Sequence, residues 1–213
     1  DDCSTDNTLS ICKKFPKVVD IYERKEPLPL DEVRDRNKLL KIALKRNPDY
    51  VFSIDGDEIL APNSKEILSE ELDILYPDSK IFEFQFLYFW DELNKIRYDG
   101  IYGKTWQPRL LKIDSDTQKL RIKESNYSGN LHCGSIPTNT KLSEKSIKSN
   151  VKIFHYGNFD DNIRQQKFKF YNNHDPNSLE QDGYLHMISE KGKHSGSSGI
   201  ELITLPNFMC KKL

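Results

Sequence analysis

Two hydrophobic periods alternate along this chain. From Asp31 to Asn47 the apolar residues Val33, Leu39, Leu40, Ala43 and Leu44 fall on one stripe, as in a helix with one buried face. Asp31 is placed to cap that helix and Asn47-Pro48 to stop it. Tyr50-Val51-Phe52-Ser53-Ile54 then reads as a buried strand running directly into Asp55. A further helix is predicted from about Ser64 to Leu75, closed by Pro77-Asp78. Ile81 to Trp90 has period two, with Glu83, Gln85 and Leu87 on one face and Phe82, Phe84, Phe86 and Tyr88 on the other. Nearer the start, Ser4 or Thr5 is expected to cap a helix through Leu9 to Lys14 that Pro16 ends. Val18 to Tyr22 reads as a short buried strand, and Glu26-Pro27-Leu28-Pro29 as a loop, since proline fixes φ and lacks a donor.

Strands alternating with helices predict an α/β fold with a mostly parallel central sheet flanked by helices. After Tyr98 the pattern is less regular. Trp106 to Ile113 and Val151 to Tyr156 read as strands, Asp160 to Asn172 as an amphipathic helix, and residues 114–149 as polar loop. The pattern fades after Asp175-Pro176, and Gly192 to Gly199 has the composition of a linker. The expected organisation is a nucleotide-sugar-binding half over residues 1–90, an acceptor-side half of the same domain over 91–175, and an extension over 176–213. The opening run looks like the loop after a first strand, so a parallel sheet of this kind is expected to have a strand before Asp1.

Composition narrows the class. The chain has 213 residues, 36% of them hydrophobic and 31% charged, and a net charge of -1, which gives no bulk attraction to nucleic acid or anionic lipid. No apolar run reaches membrane-spanning length. The chain opens on Asp1-Asp2-Cys3 and not on a secretory signal. Cys3, Cys12, Cys133 and Cys210 show neither zinc spacing nor the density of a disulfide scaffold and are expected to be free thiols. The expected location is the cytoplasm, the inner face of the membrane being the other placement.

Two runs carry candidate chemistry. In Asp55-Gly56-Asp57-Glu58, a buried strand delivers carboxylates to its C-terminal end, where open α/β sheets bind ligands. Carboxylates one residue apart can share a hard cation such as Mg²⁺ or Mn²⁺ with substrate phosphates. The plain alternative is an acidic turn. In Asp1-Asp2-Cys3-Ser4-Thr5-Asp6-Asn7-Thr8, paired acids ahead of Ser/Thr and Asp/Asn suit a loop that accepts hydrogen bonds from a base or ribose; a helix cap explains the same residues.

Together these runs, with Arg36-Asn37 in the intervening helix, resemble the family 2 glycosyltransferases of GT-A fold. The resemblance covers residues 1 to about 90 and, more loosely, Trp106 to Asp175. There Trp106-Gln107-Pro108-Arg109-Leu110-Leu111, His132, Phe154-His155-Tyr156-Gly157 and Lys167 to Tyr171 are similar to bacterial members. Cys3 stands where the family usually has glycine. The resemblance implies a sugar transferred from a nucleoside-diphosphate sugar, a UDP-sugar being favoured, to a glycan, lipid or protein hydroxyl, with inversion. It implies Asp1 or Asp2 against the base, Arg36 near the nucleotide, Asp55 on the ribose or metal, Asp57 on the metal, and His155 or His132 as a further metal ligand. Arg109 would hold diphosphate oxygens. Family members often carry the base in a later Glu-Asp pair; none occurs after residue 90, which leaves Asp91, Glu92 and Glu124 as candidates, Asp91 and Glu124 foremost. A sugar-phosphate nucleotidyltransferase and a non-catalytic carbohydrate- or nucleotide-binding domain remain the alternatives.

Overall fold

The computed structural model describes residues 1–143, 145–175, 182–188 and 199–206. The Pro176 end of the Asp175-Pro176 break, most of the Gly192 to Gly199 linker, Cys210 and most of the 176–213 extension lie outside the described residues.

The fold is α/β, with strands β1 (Tyr50–Phe52), β2 (Glu58–Leu60), β3 (Ile81–Trp90), β4 (Glu92–Arg97), β5 (Trp106–Lys112), β6 (Ile147–His155) and β7 (Leu202–Thr204). Its helices are α1 (Thr8–Cys12), α2 (Glu32–Leu44), α3 (Ser64–Glu70), α4 (Thr140–Ser143) and α5 (Asp161–His174). All the strands belong to one mixed sheet in the order β1-β5-β3-β4-β7, with β6 along the other edge of β3 and β2 beyond it.

The expected mostly parallel sheet is corrected here. Among the described residues only β3 and β6 run parallel; β1 with β5, β2 with β6, β3 with β4, β3 with β5 and β4 with β7 are antiparallel. Connection length accounts for the β3–β4 pair. A parallel crossover needs a dozen or more residues, yet β3 passes to β4 through Asp91 alone, at φ 61°. Pro108 sits inside β5 opposite Glu83, next to a register shift in β3, where a missing N–H donor costs least.

The period-two reading of β3 holds. Phe82, Phe84 and Phe86 pack with Leu110, Val151 and Ile153 under Phe52, Leu60 and Leu72, while Leu87 and Phe89 pack with Ala61, Ile96 and Phe154 on the other face. Asp31 caps α2 by accepting from the Arg34 N–H, and Asp160 caps α5. The first helix begins later than expected: Asp6, and neither Ser4 nor Thr5, accepts from the Thr8 N–H. Val18 to Tyr22 is not a strand, and Val19 is 63% exposed. Its neighbours Tyr22 and Arg24 bond the backbone of Asp1 instead. The helix from Ser64 ends in a π-helical turn over Glu71–Leu75, where buried Glu71 accepts from Ser149 Oγ at 2.5 Å and Asn150 N at 2.7 Å. Among the described residues no helix is long and apolar enough to cross a membrane.

Candidate functional site

Strand register builds the site. The turn from Asp55 to Glu58 closes with Glu58 N–H on the Asp55 carbonyl, and β2 then pairs with β6 so that Glu58 lies opposite His155. On the other edge of β6, Tyr88 of β3 also lies opposite His155. The pairing continues past the strand ends, since Tyr156 N–H donates to the Asp57 carbonyl at 2.8 Å. Asp57, Glu58 and His155 each offer a ligand atom, all within 4.8 Å of one another.

A cavity of about 360 Å³ opens beside this group, within the usual size range of small-molecule sites. Its walls include Glu32 and Arg36 from α2, Asp55 and Glu58, Arg109 from β5, the segment His132 to Ser135, His155, and Tyr171 from α5. Asp55 is gripped by two guanidiniums: Arg36 bonds its two oxygens at 3.1 and 3.4 Å, and Arg109 reaches Oδ2 at 3.3 Å. Arg109 also donates to Glu58 Oε1 at 2.6 Å, and its side chain stacks over the Phe86 ring at 4.9 Å. Only 3% of Arg109 is exposed, yet its Nε has no hydrogen-bond partner. A buried donor in that state costs free energy unless a ligand accepts from it.

Burial and charge set the protonation states. Burial raises Glu58 to about 7 against the pull of Arg109. Asp55 is likewise penalised by burial, but Arg36 and Arg109 hold it below the usual carboxylate range. Burial, with Lys167 and Arg109 nearby, pushes His155 down to about 4, so the ring is neutral at pH 7. Its Nδ1 accepts from the Gly157 N–H at 3.2 Å, which puts the ring proton on Nε2, 3.7 Å from Asp57 Oδ2. Lys167 Nζ sits on the same Asp57 oxygen at 2.9 Å. Gly157 closes this cluster: a Cβ there would collide with Asp57 Oδ2 and Lys167 Nζ and stand 2.6 Å from His155 Cε1.

No protein-family model matches this chain, and no curated protein matches it. The site's meaning therefore rests on its own chemistry. Of the residues expected from sequence, Arg36, Asp55, Arg109, His132 and His155 meet at the cavity, and Asp57 stands in the ligand group with Glu58 and His155. His132 lines the wall but lies outside that group, bonded at Nε2 to Tyr184 Oη at 3.1 Å. Asp1 and Asp2 are not among the lining residues; Asp1 accepts from Ser4 N and Asp2 from Arg24. Asp91 is bound by Arg164 at 2.9 Å away from the cavity, and Glu124 is exposed.

Sequence reasoning gave no role to Glu32 and Tyr171, which line the cavity, or to Lys167, which holds Asp57. Their spacing held a signal: Glu32 and Arg36, like Lys167 and Tyr171, are four residues apart and so share a helix face. Glu32 accepts from the thiol of Cys133 at 3.9 Å, which ties α2 to that wall.

Proposed function

We propose that the cavity binds a nucleoside-diphosphate sugar and transfers the sugar to a hydroxyl acceptor, in the manner of a GT-A glycosyltransferase. What carries this reading is the pairing, at one cavity, of an oxygen-rich ligand group with a wall arginine whose contacts to Asp55 and Gln107 are long enough to exchange for a ligand oxygen. Carboxylates alone suit a cation, and arginines alone suit an anion. A metal diphosphate asks for both.

Mn²⁺ or Mg²⁺ is the cofactor that fits. Two carboxylates and an imidazole nitrogen are an acceptable donor set for either ion, and Asp57, Glu58 and His155 would hold it. Binding would require Lys167 to leave Asp57 and the His155 proton to shift from Nε2 to Nδ1, with loss of the bond from the Gly157 N–H. When bound, the cation stabilises charge on the departing diphosphate. Arg109, held by Glu58 and against the Phe86 ring, would turn donors now on Asp55 and Gln107 to the same oxygens. Arg36 keeps Asp55 ionised and oriented for a ribose or sugar hydroxyl. A uridine preference rests on Asp1-Asp2 alone.

Titration calorimetry of uridine diphosphate with and without Mn²⁺ tests the reading. Binding that strengthens with the metal is expected. Tight binding of adenosine triphosphate with none of uridine diphosphate would overturn the uridine assignment, and binding of neither would overturn the transferase reading.

A further inference from the structure

Transfer to a hydroxyl needs an acceptor for its proton. Asp91 is held by Arg164 and Glu124 is exposed, so neither faces the cavity. Glu32 does face it, but its carboxylate already accepts from the thiol of Cys133 at 3.9 Å. Inside the wall, however, three side chains from separate segments form one chain of hydrogen bonds. Asp175, 7% exposed at the C-cap of α5, accepts from Tyr184 Oη at 2.7 Å. A hydroxyl that donates to a carboxylate offers its lone pairs to the next donor. That donor is His132 Nε2 at 3.1 Å, so the His132 proton sits on Nε2 and the lone pair on Nδ1.

The surrounding rings hold this arrangement. Tyr171 stacks on Tyr184 with centroids 4.8 Å apart, and Tyr127 meets the His132 ring edge-on at 5.1 Å. His132 and Tyr184 both sit at positive φ, 56° and 61°. Such backbones cost free energy in non-glycine residues and persist where the surroundings enforce them.

We infer that His132 is the general base of this site, with Tyr184 and Asp175 as positioning residues that orient its ring and stabilise the imidazolium. The inference rests on the transferase reading of the cavity. As the acceptor oxygen bonds to the anomeric carbon, its proton passes to His132 Nδ1, and the carbon–oxygen bond to the diphosphate breaks with its electron pair leaving on the diphosphate. The groups facing His132 are Tyr127, Tyr171 from α5, Tyr184 with Asp175 behind it, and Glu32 from α2 at its backbone. Burial keeps His132 below the usual imidazole range despite Asp175, so it is neutral and able to accept at pH 7.

The test uses the full chain with Mn²⁺, a panel of UDP-hexoses as donors and water as acceptor. His132→Asn is the first variant, since asparagine tolerates positive φ, and Tyr184→Phe the second, since it keeps the ring stack. Uridine diphosphate release is expected to fall roughly a hundredfold or more in His132→Asn, with uridine diphosphate affinity by calorimetry unchanged within about twofold. In Tyr184→Phe the imidazolium loses its link to Asp175, so the acid limb of the rate profile moves to lower pH while affinity holds. Wild-type release by His132→Asn, or an unmoved acid limb in Tyr184→Phe, overturns the assignment alone. A parallel loss of affinity in His132→Asn overturns it in favour of a binding role, and wild-type protein that binds uridine diphosphate but releases none from the panel also counts against it. Failure of the wild-type protein to bind uridine diphosphate overturns the transferase reading itself.

Discussion

Two of the buried arginines, Arg97 and Arg109, are treated differently. Arg97, with 0% exposure, bonds Asp99 through Nε and one terminal nitrogen at 2.7 and 2.8 Å and the His186 carbonyl through the other at 2.7 Å. Trp90 and Tyr102 cover its guanidinium at 4.5 and 4.1 Å. Arg109 spreads its donors over Glu58 at 2.6 Å, Asp55 at 3.3 Å and Gln107 at 3.5 Å, has only the Phe86 ring beside it, and leaves Nε bare. Both charges are desolvated, but only Arg109 has hydrogen-bonding capacity left, and only Arg109 lines a cavity. A buried cation that is fully answered by its neighbours belongs to the structure; one left partly unanswered at a cavity wall is available to a ligand.

Removing each arginine sharpens the contrast. Arg97→Met leaves Asp99, 1% exposed, as a buried carboxylate without its bidentate partner. The expected loss is about 3–5 kcal/mol of folding free energy, read from the urea midpoint. An unmoved midpoint would show that water or rearrangement reaches Asp99. Arg109→Met is expected to be milder for stability. Glu58, already raised to about 7, can take a proton in compensation, and Asp55 keeps Arg36. Its larger effect is on binding: losing a charge-assisted contact should cost uridine diphosphate affinity about 1.5–3 kcal/mol, or roughly ten- to a hundredfold. If Arg109→Met destabilised as much as Arg97→Met while binding nucleotide normally, the two arginines would be alike and the contrast would fail.

Gly157 extends the comparison to the ligand group. Gly157→Ala puts a methyl against Asp57, Lys167 and His155. Lys167 can swing away, but His155 is held in β6. Mn²⁺ affinity is expected to fall roughly tenfold, as when an orienting contact to a metal ligand is lost, with little change in melting temperature. Equal Mn²⁺ affinity in the variant would remove His155 or Asp57 from the ligand group.

Much of the architecture was legible because it follows from local rules. The Asp31 cap and the alternation of β3 are patterns of neighbouring residues, and each appears in place; the α2 stripe does so only in part, with Leu40 buried and Leu39 56% exposed. Strand direction is different. It depends on which strands pair across long separations, and alternating strands and helices suggested parallel pairing where the one-residue turn at Asp91 imposes the opposite. The site divides in the same way. Asp55, Asp57, Arg109 and His155 stood out as polar residues at the ends of, or inside, apolar strands, where only a special role tolerates them. Glu32 and Lys167 sat on helices among other charges, and the four-residue spacing to Arg36 and to Tyr171 was the one signal that set them on the same faces. The Asp175–Tyr184–His132 chain joins residues 9 and 52 apart along the sequence, and no periodicity reports such a meeting.

The smallest effect concerns a carboxylate that resembles Arg97 in being fully answered, but at the surface. Asp114 accepts from the backbone of Asp116 and Thr117 and pairs with Lys80 at 2.9 Å. Burial would raise it, but the Lys80 ammonium and these N–H donors outweigh burial and hold it at about 2. A carboxylate whose folded pKa lies below its unfolded value adds stability at pH above the unfolded value, near 3.8, and loses it as pH falls toward about 2. Asp114→Asn removes that ionisation. The variant should therefore be less stable than wild type at pH 7, and the gap should close between pH 4 and pH 2 as the wild-type carboxyl protonates. Because Asp114 and Lys80 are partly solvated, screening keeps the difference small, and thermal unfolding across that pH range is the measurement. A gap of constant size down to pH 2 would mean that the asparagine costs stability through its altered turn hydrogen bonds, with no part played by the charge. A gap that widened on acidification would reverse the sign of the linkage and place the Asp114 carboxyl above its unfolded value.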